Sequence, residues 1–193
     1  VFMPDGLRGR AAIDYYEQSL RFFRTQLAEN KDRIVQVRTA DEILAAVKDG
    51  KCAALLTVEG GSVLAGEPSR AAELAADGVR MLTLTWNGEN ELGSGADMPG
   101  GLTPRGVKAV EAWEDAGIII DVSHLNDRGF GQMADLARRP FVASHSNARA
   151  VCNHRRNLTD EQFMRIVAAK GLVGLNFCTH FLSEEIADPP FSC

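Results

Sequence analysis

The chain has 193 residues, 45% hydrophobic and 24% charged, with a net charge of -5. That is the composition of an ordinary globular domain with a substantial core. The charge gives no general attraction to nucleic acid or anionic membranes, and no apolar run approaches the roughly 20 residues needed to span a bilayer.

The chain opens on Val1 without the ordered charged, apolar and cleavage-site segments of a secretory signal. Its first element is a helix over roughly Ala11 to Glu29, with Tyr16, Leu20, Phe23 and Leu27 on one stripe; Val1–Met3 is the tail of a preceding strand. Thr39 and Glu42 then form a capping box, followed by Ile43, Leu44 and Val47 on one helical face and a stop at Gly50. The apolar runs Ala53–Val58, Val79–Thr85, Ile118–Val122, Phe141–Ser144 and Leu172–Phe177 have strand length and few charges, as in a parallel sheet covered on both faces. Thr103 with Pro104 starts a helix that Gly117 ends, and Thr159 with Gln162 starts another that Gly171 ends. Alternating strands and helices imply right-handed βαβ units. A closed eight-stranded barrel typically needs about 250 residues, so the expectation is a single domain over 1–193 holding part of an α/β barrel, with five to six parallel strands.

Cys52, Cys152, Cys178 and Cys193 are far apart and form no CxxC pair. Buried free thiols are the expected state, and a reducing, cytoplasmic location follows from them.

Glu59, His124 and His145 each sit at or just past a strand end, in LLTVEGG, IIIDVSH and FVASHS. Ligands of parallel α/β folds bind at the carboxyl ends of strands, and two imidazoles with one carboxylate form a ligand set of catalytic zinc. Taken singly, each has a plainer reading, a solvated acid or a hydrogen-bonded loop histidine. His154 and His180 fall outside the pattern and are read as non-ligands. Arg155 and Arg156 offer a fork for a carboxylate or a solvated basic turn. The Gly-rich stretch from Trp86 to Gly101 reads as a long functional loop; in it Trp86 packs, and Glu89, Glu91 and Asp97 are solvated. It lacks GxGxxG and a P-loop, which leaves a nucleotide site without support.

In order, TVEGG, GVRMLTLTWN, GLTPRGVKAVEAWEDAGIIIDVSH, PFVASHSNARAVCNHRRNLTD and GLVGLNF resemble the membrane (renal-type) dipeptidases and their bacterial relatives. The resemblance implies a TIM-like (β/α)8 metallohydrolase with two zinc ions that hydrolyses dipeptides. It implies Glu59 as the carboxylate bridging the metals, His124 and His145 as ligands of the second metal, and Arg156 as the residue that binds the substrate carboxylate. No His-x-Asp pair occurs in Val1–Asn30, no catalytic aspartate of a last strand is reached, and Trp86 stands where the renal enzyme has a substrate-contacting histidine. The expectation is a zinc dipeptidase present as a fragment or shortened form of low activity, whose open strand edges lead to self-association or are capped by the terminal segments. Two alternatives stand beside it: a different barrel metallohydrolase, against which Glu59 in place of a carboxylated lysine argues, and a non-catalytic half-barrel module.

Overall fold

The computed structural model describes residues 1–183. Helix α1 (Gly9–Glu29) leads into β1 (Ile34–Val37), α2 (Ala40–Lys48), β2 (Cys52–Leu55) and β3 (Thr57–Glu59). There follow α3 (Ala71–Asp77), β4 (Met81–Thr83), α4 (Pro104–Asp115), β5 (Ile119–Asp121), α5 (Asp127–Leu136) and α6 (Asp160–Ala168).

The helix starts follow their local chemistry. Thr39, Thr103, Asn126 and Thr159 each accept a hydrogen bond from a first-turn backbone N–H, satisfying a donor that has no partner within the helix. At Thr159 the box is reciprocal, with Gln162 returning a bond to the cap backbone.

All paired strands run parallel. β3, β4 and β5 form a three-stranded sheet in that order, and β1 pairs with β2. Single parallel bridges continue the larger sheet on both sides: Phe2 to Glu59, Asp121 to Val142, and Ala143 to Val173. From β3 onward, sequence neighbours are thus neighbours in space, as consecutive staves. The expected strand over 53–58 is broken at Leu56 into β2 and β3, and β1 is a strand that the apolar runs did not reveal. The expected strands over 141–144 and 172–177 are reduced to bridges at Val142, Ala143 and Val173.

The helix-facing side of the sheet forms the core. Leu82, Leu84, Ile120 and Val122 are buried there with Val110, Trp113 and Met133, and α1 adds Ala12, Tyr16 and Leu20. The opposite side departs from the expectation of full cover, since Ile119 is 42% exposed. At the carboxyl ends that side turns polar: Glu59, Thr83 and Asp121 stand in register across β3, β4 and β5. Helix α2 also departs from expectation. Its buried residue is Ala46, while Leu44 and Val47 face solvent.

Cys52 is an exposed free thiol and Cys152 a buried one, whereas Cys178 is disulfide-bonded. The expectation of buried free thiols thus holds at Cys152 and not at the exposed Cys52 or at Cys178; Cys193 lies outside the described residues. Among the described residues, no helix is long and apolar enough to cross a membrane.

Candidate metal centre

Glu59 ends β3, and two glycines follow it. Gly60 has φ +113°, and a Cβ there would lie 2.9 Å from that of Met3, so the chain can leave the rim only with glycine at this point. The Gly60 amide donates to the Thr83 hydroxyl at 2.6 Å, which fixes the turn. His124 sits in the turn after β5 at φ +74°, a left-handed conformation costing a β-carbon residue about 1–3 kcal/mol. That turn is closed by the Leu125 amide donating to the Val122 carbonyl at 3.1 Å. His145 follows the bridge at Ala143, its amide donating to the Ser123 hydroxyl at 3.1 Å.

These three side chains converge. Glu59 Oε1 lies 2.9 Å from His124 Nε2 and 3.3 Å from His145 Nε2, and the two Nε2 atoms are 2.8 Å apart. The other nitrogen of each ring is committed. His124 Nδ1–H donates to Asn87 Oδ1 at 2.7 Å, and His145 Nδ1 meets the Ser144 hydroxyl at 2.6 Å. Ser144 in turn donates to Asp121 Oδ2. A hydroxyl has one proton; with that proton on Asp121, Ser144 accepts from His145 Nδ1–H. With the ring protons on Nδ1, each Nε2 turns a lone pair toward the other ring and toward a carboxylate oxygen.

Such a donor set repels itself unless a cation lies among its members. Protonation is opposed at His124, where burial pushes the imidazolium pKa down to about 4 against the pull of the Glu59 carboxylate. Glu59 is held well below the usual carboxylate range, chiefly by the close approach of the His124 and His145 rings to its carboxylate. The ligand atoms of Glu59, His124 and His145 all lie within 4.8 Å of one another, and two imidazoles with one carboxylate suit zinc. The donor set thus fits a divalent metal. A cavity of about 180 Å³ borders Glu59 and His145 and is lined further by Thr57, Met81, Thr83 and Asp121.

Arg156 is 5% exposed, and its Nε and Nη2 have no hydrogen-bond partner. The Phe181 ring lies 5.6 Å from the guanidinium carbon. Burial lowers the Arg156 pKa to about 10, against the opposing pull of Asp121, Glu59 and Asp97. Its neighbour Arg155 is instead an exposed partner of Asp97 at 2.9 Å. His154 is outside the cluster; its Nδ1 accepts from the Arg156 amide at 3.1 Å, and its ring lies 4.5 Å from that of Phe181. His180 is likewise not among the converging groups.

The loop over 86–101 differs from a solvated one. Leu92 through Ala96 are buried, and Asn90 ties its turn with bonds to the Leu84 carbonyl and from the Leu92 amide, both 2.8 Å. Glu89 and Asp97 are exposed, while Glu91 is half-buried. Trp86 packs 5.9 Å from the His124 ring and edge-on to Phe2. Asn87, Asp121 and Ser144, which support the histidines, were not singled out from the sequence as site residues. Their signal was present, since Asp121 and Ser144 are polar residues inside otherwise apolar strand runs.

The profile of the membrane dipeptidase family (Peptidase family M19) matches residues 1–188. A Klebsiella pneumoniae protein encoded in the pqqA 5′ region is 35% identical over 181 residues, covering 90% of this chain and 67% of its own length. Among solved structures, the dipeptidase AC of family M19 superposes with a TM-score of 0.91 at 30% identity, covering 96% of this chain and 60% of that one. A Rhodobacter sphaeroides metallopeptidase, liganded with a phosphinate mimic of the dipeptide L-Ala-D-Ala, gives 0.84 at 32% identity, covering 92% and 53%. The chain thus spans about half to two thirds of the length of these relatives. On the match along nearly its whole length, it belongs to the membrane dipeptidase family, with the α/β, TIM-barrel-like fold of that family's metallopeptidases.

Proposed function

We propose that the chain carries the metal-binding and carboxylate-binding parts of a zinc-dependent dipeptidase, within one partial-barrel domain over 1–193. Glu59, His124 and His145 would hold the zinc ion, and Arg156 would take the carboxylate of the dipeptide. When bound, the metal polarises the scissile carbonyl and lowers the pKa of water. The chain's own residues do the rest. Asn87 and Ser144 keep the imidazole protons away from the centre, and Glu59 supplies a negative oxygen there. The buried Arg156 offers unpaired N–H groups that a carboxylate satisfies bidentately.

The observation that carries this reading is the convergence of His124 Nε2, His145 Nε2 and Glu59 Oε1, with the Nδ1 of each ring bonded elsewhere. The Rhodobacter relative's phosphinate dipeptide ligand supports the substrate class. The exposed apolar side chains of α2 and α6 support self-association of the chain as it stands.

The test combines metal analysis with ligand binding. The purified chain should retain one zinc ion, and the L-Ala-D-Ala phosphinate should bind the zinc form. Arg156→Met should weaken that binding at least tenfold while leaving zinc in place. A chain that takes up no divalent metal, or an Arg156→Met variant that binds the phosphinate as well as the parent, would contradict the reading.

A further inference from the structure

The two histidines of the centre rest on different supports. His124 leans on a neutral amide, Asn87, carried by the loop over 86–101. His145 leans on a hydroxyl that leads to a carboxylate buried in the sheet. Asp121 is 1% exposed and is committed on every side: its Oδ1 accepts from the amides of Ser123 and Ser144, both at 2.9 Å, and its Oδ2 accepts the Ser144 hydroxyl proton.

From this chain of bonds we infer that Asp121 is a positioning residue for the metal centre, acting through the Ser144 hydroxyl to fix the tautomer of His145. Proton placement along this chain decides the tautomer. An ionised carboxylate can only accept, so Ser144 must give it the hydroxyl proton and can only accept from the ring. The ring proton is thereby placed on Nδ1, and Nε2 carries the lone pair that faces Glu59 and His124. The same bond fixes the ring plane and draws electron density toward the ligand nitrogen.

Asp121→Asn reverses this logic with almost no change of shape. The amide oxygen still accepts from the two backbone N–H groups, while the amide nitrogen replaces Oδ2 and donates to Ser144. The hydroxyl then turns its proton to His145 Nδ1, and the ring must carry its own proton on Nε2, where the metal should bind. Replacing a carboxylate by an amide can select the wrong tautomer while the geometry stays intact.

This inference rests on the proposed metal site, and its test separates the two. Nitrogen-15 NMR of the metal-free parent should show the His145 proton on Nδ1; in Asp121→Asn it should have moved to Nε2. Zinc competition titration should show a loss of about 10–100-fold in affinity for Asp121→Asn and Ser144→Ala. Ser144→Thr, which keeps the hydroxyl, should restore affinity, and the double variant Asp121→Asn with Ser144→Ala should be no weaker than the weaker single one, because the two act in series. An unchanged tautomer in Asp121→Asn, or parental zinc affinity in both single variants, overturns the inference while the metal site stands. A parent chain that binds no zinc at all overturns the metal site and this inference with it.

Discussion

The rim at the carboxyl ends of the strands and the outer margins of the fold are built on opposite principles. On the rim, polar side chains are buried or half-buried and most of them are partnered: Asp121 accepts three bonds, Thr83 fixes the turn after Glu59, and Asn126 caps α5. At the margins the imbalance is apolar. Leu44 and Val47 on α2, Met164 and Val167 on α6, and Leu172, Leu175 and Phe177 beyond it are each at least 60% exposed. Isolated exposed apolar residues are ordinary, but clustered ones mark surfaces that another chain or segment covers. The contrast teaches that the candidate site is held from beneath, by the sheet and its loops.

The largest expected effect breaks the rim directly. His124→Ala or His145→Ala should abolish stoichiometric zinc binding, measured by metal analysis after dialysis, while His154→Ala should leave it unchanged. Next, the core beneath the rim should prove sensitive and the margins indifferent. Trp113 is fully buried, and Trp113→Ala should cost about 3–5 kcal/mol in denaturant unfolding, whereas Leu44→Ser should fall within about 0.5 kcal/mol. The margins should show in a different readout: Leu44→Lys combined with Phe177→Lys should shift sedimentation toward monomer without a change in zinc content.

The smallest effect is a pH dependence. Asp127, at the start of α5, accepts both Arg149 terminal nitrogens at 2.7 Å and Gln162 at 3.0 Å. The Arg149 bonds, outweighing desolvation, hold its pKa below the ordinary carboxylate value. With the folded pKa depressed, the stabilisation is fully present above the unfolded value near 3.8 and is lost as pH falls through the folded one. The pair is partly exposed and should contribute no more than about 1 kcal/mol. Asp127→Asn should thus lower Tm slightly at neutral pH and converge on the parent in strong acid. A difference that persists there would assign the effect to packing.

Much of the rim was legible in the sequence because its signals are local. Thr39, Thr103 and Thr159 announced helix starts through short-range capping, and apolar runs announced the staves around β3, β4 and β5. Glu59, His124 and His145 stood out because each ends such a run. What stayed hidden depends on tertiary partners. Among the described residues β1 pairs only with β2, and its four residues IVQV read weakly by themselves. The apolar face of α2 resembles any buried stripe; its exposure is a fact about the neighbours it lacks. Asp121 and Ser144 became meaningful only when the bridge between Asp121 and Val142 set their strands side by side. The packing of Leu92 through Ala96 was obscured by a composition typical of solvated loops.

The central claim is that Glu59, His124 and His145 form a metal site supported from within the sheet. Calorimetric zinc titration of the metal-free 193-residue chain, alongside Glu59→Gln and His145→Ala, tests it most directly. The account predicts saturable binding of one zinc ion per chain by the parent, sharply weakened in Glu59→Gln and absent in His145→Ala. No saturable binding by the parent, or equal binding by all three proteins, would contradict it.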